Sequence, residues 1–318
     1  MTAMKRIWTR RFGRASAHRP GGHIRRGSCH MKTITLCLDV GGTQIKAAAV
    51  DRDGNLEGEL RYFPAEAKRD RETLLNHFAA VMEEIRVPDS EVAGIRLAFP
   101  GPFDYERGIC LLRGLDKYDA MYGVDLRQAF ARRLRIEPER IRFLNDAAAY
   151  ALGEMGFGHA KGTARALFVC IGTGCGSAFG TDGTLAPPGT AGVPENGYIY
   201  DAPFLDGCID DYISRRGLLA LTRQRLGTAL DGRALAERAL QGDGEAGACF
   251  LEFGCRVRDA LLPFLEGFRP ELLCFGGQIT RSAALFLPPV EECCRAAGIR
   301  VGVTEDTSLR TLQGLARI

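Results

Sequence analysis

At 318 residues, with 46% hydrophobic and 25% charged side chains, the chain has the balance of a soluble globular protein with room for two ordinary domains. No apolar run approaches the roughly 18 residues needed to cross a bilayer, so no membrane span is read. The net charge of +3 is uneven: residues 1–30 hold Lys5, Arg6, Arg10, Arg11, Arg14, Arg19, Arg25 and Arg26 and no acid, which leaves the body near −5. An acidic body argues against a nucleic-acid-binding surface there.

The basic leader, 1–31, reads as sequence that does not fold, with the ordered chain starting around Met31, just before the first strand. Its Arg-rich, acid-free composition also resembles a transit peptide, and an electrostatic arm for nucleic acid or an anionic membrane is the other alternative. There are eleven cysteines, an odd number with no CxxC pair, and Cys37, Cys170 and Cys274 sit in apolar, strand-like runs. This pattern predicts buried thiols in a reducing, cytoplasmic setting and no disulfide framework.

In chain order, Thr33–Leu38 is a short buried strand that ends at Asp39-Val40-Gly41-Gly42-Thr43. A second strand covers Ile45–Val50, and an Asp53-Gly54 turn leads to a third at Leu56–Phe63. Residues 72–86 carry apolar side chains at helical spacing. A strand at Val92–Ala98 runs into Pro100-Gly101-Pro102, which breaks regular structure. A helix at 125–134, a strand at Ile141–Leu144 and a helix from about Ala147 follow. The second half repeats the opening: strand Ala166–Ile171, then Gly172-Thr173-Gly174-Cys175-Gly176, then a strand near Ser177–Gly180 and an Asp182-Gly183 turn. Helices fill most of 208–267. Leu272–Phe275 is a strand closed by Gly276-Gly277, and the end alternates helix, strand (Ile299–Val303) and helix (Ser308–Ala316). Two strand–glycine-loop–strand units, each followed by helices, predict a duplicated α/β architecture of two lobes with a cleft between them.

Glycines in a hairpin loop let backbone N–H groups approach phosphate oxygens, because no Cβ intrudes. Gly41, Gly42 and Thr43 therefore make either a plain hairpin or a phosphate cradle, and Asp39 at the strand end is placed to hold Mg²⁺ directly or through water. Gly172, Thr173 and Gly174 form a second loop of the same kind, and the pair suits a phosphate chain held from both sides of a cleft. Gly276 and Gly277 give a third point of close approach, suited to the flat face of a nucleoside. Asn145-Asp146 ends a strand and opens a helix. Asp146 reads either as a helix cap or as a general base for a substrate hydroxyl.

Taken together, the strings D-V-G-G-T, P-G-P, N-D-A-A-A-Y-A-L-G-E, G-T-G-C-G-S and F-G-G resemble the ROK family of sugar kinases and related repressors, over nearly all of the chain from residue 33. The resemblance implies a two-lobed, ribonuclease-H-like fold of the actin and hexokinase type. It implies an N-terminal lobe at 32–143, a C-terminal lobe at 144–305, and a last segment, 306–318, that returns to the first lobe. It further implies ATP and Mg²⁺ as cofactors, a sugar as partner and a homodimer. By this resemblance Asp146 is the catalytic base, Asp39 to Thr43 and Gly172 to Gly176 bind phosphates, and Gly276 and Gly277 lie near adenosine. The sugar would sit by Asn145, Asp146, Glu195 and Asp210.

The departures are as specific as the matches. Where the family has Glu-x-Gly-His, this chain has Glu195-Asn196-Gly197-Tyr198, and of the family's cysteine zinc ligands only Cys208 survives. No zinc site is expected. Asp210 stands where a Glu is usual. An Asn that precedes a Gly-Trp in the family is replaced by the run Arg113-Gly114-Leu115-Asp116-Lys117-Tyr118, whose cations either suit an acidic or modified sugar or are simply solvated. Lys46 lies two positions beyond Gln44, where a basic residue is frequent. The reading is an ATP-dependent sugar kinase, glucokinase-like. A sugar- or nucleotide-sensing protein without catalysis is the alternative, and a repressor is disfavoured because the short leader has no helical pair for DNA.

Overall fold

The computed structural model describes residues 31–318, and the expectations for the basic leader lie outside them save at Met31. Fourteen strands are described. Seven belong to the first half: β1 (Lys32–Val40), β2 (Gln44–Asp51), β3 (Leu56–Pro64), β4 (Ser90–Ala98), the short ribbon of β5 (Phe103–Asp104) and β6 (Ile109–Cys110), and β7 (Ile141–Leu144); β8 (Arg165–Ile171) opens the second half. The others are β9 (Cys175–Thr181), β10 (Thr184–Leu185), the ribbon of β11 (Pro203–Phe204) and β12 (Gly207–Cys208), β13 (Leu272–Gly276) and β14 (Arg300–Val303). The helices are α1 (Arg71–Glu84), α2 (Leu126–Leu134), α3 (Asp146–Phe157), α4 (Ile209–Tyr212), α5 (Arg215–Leu226), α6 (Gly232–Leu240), α7 (Gly244–Phe268), α8 (Ala283–Phe286), α9 (Pro288–Ala296) and α10 (Thr307–Leu315).

The duplication expected from the sequence is explicit in the topology. One sheet has the order β3-β2-β1-β4-β7 and the other β10-β9-β8-β13-β14. In each, an antiparallel meander of three strands is joined through its first strand to two parallel ones. Both central strands are buried on both faces and read as continuous apolar runs, as the middle of a covered sheet requires. The Asp182-Gly183 turn between β9 and β10 has positive φ at both residues (49° and 79°), the backbone that Asp-Gly adopts at little cost in a two-residue hairpin.

Each sheet has its own apolar core. The first joins Leu36, Leu38 and Leu97 to Phe78, Phe99, Tyr118 and Phe130. The second packs α7 through Phe250, Phe253, Val257, Leu261, Leu265 and Phe268 onto β8 and β13. Burying a side chain of this size contributes about 1.5–3 kcal/mol. Two smaller clusters flank α3: on one side Tyr150, Ala151 and Met155 meet Phe168 and Cys274 of the second sheet, and on the other Ala149 joins Leu312 and Leu315 of α10 against Cys37, Ala48 and Ala98 of the first. Helices α3 and α10 cross at glycines. A Cβ on Gly153 would overlap the carbonyl of Arg310, and one on Gly314 would overlap that of Ala149. No described helix is long and apolar enough to cross a membrane.

The element boundaries fall within two residues of those read from the sequence, the strands gaining most where they continue into polar residues or glycine. The first strand runs on through Asp39-Val40 and the ninth through Cys175-Gly176. Backbone pairing across each hairpin holds those residues in strand geometry, which side-chain pattern alone does not reveal.

Candidate active site

The carboxyl ends of β1, β7, β8 and β13 carry the residues singled out in the sequence, as expected for open α/β sheets, whose ligands gather at strand ends. Asp39 is the next-to-last residue of β1. Its register partner across the hairpin is Lys46, whose Nζ donates to Asp39 Oδ2 at 3.2 Å. Burial raises the Asp39 carboxyl above its ordinary range, and Lys46 partly offsets this.

The first loop is a tight hairpin in which the Gly41 N–H donates to the Gln44 carbonyl at 3.0 Å. Gly42 and Thr43 at its tip are exposed. From the side, Tyr118 Oη donates to the Gly41 carbonyl at 2.8 Å, and the Lys117 side chain lies over Gly42, its Cδ 3.4 Å from where a Cβ would be. The second loop closes in the same way, the Gly172 N–H donating to the Gly174 carbonyl at 2.9 Å, and nothing lies within 4 Å of a Cβ position on Gly172.

Asn145, not Asp146, caps α3: its Oδ1 accepts the N–H groups of Ala147 at 3.0 Å and Ala148 at 3.2 Å. Of the two roles open to Asp146 in the sequence, the cap is thus filled by its neighbour. Asp146 Oδ1 accepts the Ala147 N–H at 2.9 Å, and no described residue donates a hydrogen bond to Oδ2. Solvent reaches the side chain, yet protein surrounds it closely enough that desolvation raises its carboxyl above the ordinary range. Access together with desolvation is the situation of a group on the floor of a cleft. The charge of Asp39 raises it further, and the Ala147 N–H and Lys117 pull the other way. The second loop meets the same spot, since a Cβ on Gly176 would lie 3.2 Å from that of Ala147. Both glycine loops and both carboxylates therefore converge on the first turn of α3.

Other expected residues sit differently. Asp210 Oδ1 accepts the Cys175 N–H at 2.6 Å, which braces the second loop, and Oδ2 is paired with Arg216 of α5 at 2.5 Å, so both oxygens are engaged. Sequence pattern could not show this, because the partners are 35 and 6 residues away. Glu195 is exposed and has no hydrogen bond or ion pair with a described residue. Gly276 is tight for packing reasons, since a Cβ there would press on Tyr150 and Cys170, and a Cβ on Gly277, at φ 91°, would overlap the Ile171 backbone. The Gly277 N–H is donated to Thr307 Oγ1 at 2.8 Å.

Two tyrosines join the site. Tyr105 Oη donates to the Phe99 carbonyl at 3.0 Å and receives Asn145 Nδ2 at 3.4 Å. Tyr198 stands on a loop anchored by the Ile199 N–H to Ser177 Oγ at 3.0 Å. Burial raises both phenols, and the nearby Asp146 charge adds to that. Tyr105 carries no local sequence signal; Tyr198 stood out only as the residue in place of a histidine.

Mg²⁺ fits this donor set in one respect: two carboxylates raised by desolvation, with Asp146 also feeling the charge of Asp39, gain from a divalent cation between them and an incoming phosphate. Among the described residues no group of three or more His, Cys, Asp and Glu side chains could hold a metal alone. Asp39 would be the protein's ligand to an ion that arrives with phosphate oxygens. Cys208 Sγ is 3.1 Å from Asp211 Oδ2.

The duplicated sheets and paired glycine hairpins define the two-domain α/β class of the hexokinase type. The chain belongs to the ROK family, whose profile matches residues 35–304. It is 27% identical over 288 residues to a glucokinase of Thermotoga maritima, covering 82% of this chain and 87% of that protein. It is 23% identical to the DNA-binding transcriptional repressor Mlc of Escherichia coli, over 71% of this chain and 60% of that one. Among solved structures, a ROK hexokinase from Thermus thermophilus superposes with a TM-score of 0.75 at 21% identity, covering 89% of this chain and 96% of the other. A ROK glucokinase from Streptomyces griseus in complex with glucose and AMPPNP superposes at 0.71 with 20% identity, covering 89% and 98%.

Proposed function

We propose that this chain is a sugar kinase that transfers the γ-phosphoryl group of ATP to a hydroxyl of a hexose or hexose derivative. The observation that carries the reading is the convergence of a desolvated, solvent-reachable Asp146 with Asp39 and two open glycine hairpins at the start of α3. The glucokinase relative and the structure holding glucose with AMPPNP support it.

In this reading the substrate hydroxyl lies beside Asn145 and Asp146, with Glu195, Tyr105 and Tyr198 at the sugar's edge. Its oxygen attacks the γ-phosphorus as the bond to the β–γ bridging oxygen breaks; the hydroxyl proton passes to Asp146, and ADP leaves. A base with a raised pKa is well matched to this task, since it is a better proton acceptor. With the Gly41 and Gly172 N–H groups closing the two hairpins, the N–H groups of Gly42, Thr43, Thr173 and Gly174 face the phosphates from the two halves and stabilise charge that builds on the transferring group. Mg²⁺, held through Asp39, supplies charge neutralisation on the phosphate chain.

The test is ADP release with ATP and Mg²⁺ against hexoses, amino sugars and N-acylated sugars, run beside Asp146→Asn. Turnover on one sugar that the mutant loses establishes the activity. A second reading, a sugar- or nucleotide-sensing protein without turnover, is favoured by the engagement of Asp210 with Cys175 and Arg216 and by the repressor relative. Nucleotide binding with silence across the whole panel would select it.

A further inference from the structure

Lys117 is a departure from the family's pattern that the structure brings to the first glycine loop, and nothing in the proposed reaction yet uses it. The residue is half-buried, and no described residue pairs or hydrogen-bonds with it. Its place is set by its neighbours. Tyr118, in left-handed backbone at φ 57°, donates its N–H to the Ala67 carbonyl at 2.7 Å and its hydroxyl to Gly41 at 2.8 Å, while Asp116 is taken by Lys68. A bulky residue persists in that backbone only where its surroundings hold it, so the surrounding bonds fix it, and with it the lysine one residue before. The aliphatic stem then lies on Gly42, at the exposed tip of the first loop, its Cδ 3.4 Å from where a Cβ would be.

We propose that Lys117 is a catalytic residue of the phosphoryl transfer, its ammonium contacting the γ-phosphate oxygens from the Gly42 side. The inference rests on the kinase reading above. Two carboxylates, Asp39 and Asp146, face the place where a triply charged phosphate end must come. Lys46 is already committed to Asp39, which among the described residues leaves Lys117 as the cation with no partner at that point. Its charge also lowers the Asp146 carboxyl, while its stem rests on the first loop. An ammonium is a compact point charge with three rotatable donors, suited to following oxygens that move from ATP toward the acceptor. The same ammonium facing the acceptor would instead select a sugar that bears a carboxylate or phosphate; contact with Gly42 favours the nucleotide side.

Binding separates these cases without turnover. Mg·ADP and Mg·AMPPNP are titrated by calorimetry into the full chain, wild type, Lys117→Met and Lys117→Arg. The expected result is that Lys117→Met weakens AMPPNP by about 10- to 100-fold, the range for a hydrogen bond to a charged group, and leaves ADP within about twofold. Retained ADP affinity would also show that the variant is folded, and Lys117→Arg should recover most of the loss. Equal losses for the two nucleotides, or none, overturn the assignment. So does intact AMPPNP affinity with a turnover defect confined to acidic sugars, which would move the ammonium to the acceptor. If the wild type binds neither nucleotide, the ATP reading fails along with the proposal.

Discussion

Tyr118 and Gly41, 77 residues apart, are joined by a hydrogen bond of 2.8 Å from the phenol to the loop carbonyl. Tyr118 is fully buried among Phe78 and Phe99, at ring separations of 6.1 and 5.3 Å. The first glycine loop is therefore fastened to the core of its own lobe and does not hang free from the ends of β1 and β2.

Tyr118→Phe keeps the aromatic packing and removes only the tie. A net hydrogen bond of this kind stabilises by about 0.5–1.5 kcal/mol, so the fold should survive with a slightly lower Tm. The loop, and Lys117 beside it, should be less well held. The expected outcome is a several-fold higher KM for ATP with the sugar KM unchanged. An unaltered KM for ATP would mean that the loop is rigid without Tyr118.

The string Asn145–Glu154 shows how much of the site could be read in advance and how much could not. Its first two residues end a strand and open a helix, where Asp146 reads as a cap or a general base, and the structure gives each one a distinct place, Asn145 on the helix cap and Asp146 exposed on the first turn. Its last two looked merely helical. Gly153 proves to be where α10 crosses. Glu154, fully buried, accepts the His159 N–H at 2.7 Å and Thr304 Oγ1 at 2.9 Å and faces Arg310 Nε at 3.3 Å. Those partners lie up to 156 positions away in the chain, and periodicity carries no information about them. The same holds for Asp210, whose carboxylate read as a sugar ligand and is found bracing the second loop. Strand positions and glycine hairpins were legible because they are local; closure between distant segments was not.

Asp146→Asn tests chemistry and electrostatics in opposite directions. As the proposed base, Asp146 should contribute about 10²–10⁴-fold to kcat, and a mutant that keeps more than about a tenth of wild-type turnover would not fit the role. Stability should move the other way. The folded carboxyl lies above its unfolded value because of burial and the Asp39 charge, so the unfolded state releases its proton first as pH rises. Stability is then lost between the unfolded pKa and the raised folded one, and the ionised group is a liability at pH 7. The amide removes that liability. Thermal unfolding at pH 7 should show Asp146→Asn at or above the wild-type Tm, with the gap closing at acid pH.

The same shift sets the acid limb of the rate profile. The base works only when ionised, so kcat/KM should fall as pH drops through the raised pKa of Asp146, above the ordinary carboxylate range. Lys117 lowers that pKa, and its replacement by Met should move the acid limb to higher pH. The profile is measured at saturating ATP. A shift to lower pH would place the lysine charge elsewhere.

A metal prediction follows from the residues around Tyr198. The Asp146 charge helps raise the Tyr198 phenol, and Cys208 shares Asp211 through both its N–H, at 3.0 Å, and its thiol. With the thiol so engaged and no imidazole beside it, the purified chain should carry well under one zinc per molecule. A zinc chelator should leave Tm where it was, since a structural zinc usually contributes several kcal/mol to folding. One tightly held zinc, with a fall in Tm on its removal, would show a site built from residues not recognised as ligands.

The crossing of α3 and α10 offers the most direct test of the packing that supports the site. At Gly314 an added methyl would overlap the Ala149 carbonyl and crowd the Gly153 nitrogen at 2.6 Å. These are backbone atoms of a helix, which cannot turn aside as a side chain can. Gly314→Ala improves helix propensity by about 1 kcal/mol, so in an isolated helix it would stabilise. Here the helices must separate, and overpacking of this kind costs about 1–3 kcal/mol or more. The net expectation is a lower Tm despite the better helix former. Because α3 carries Asp146 on its first turn, the separation should also reduce kcat while nucleotide affinity stays closer to wild type. A raised Tm with normal turnover would mean that the two helices can part without moving the cleft.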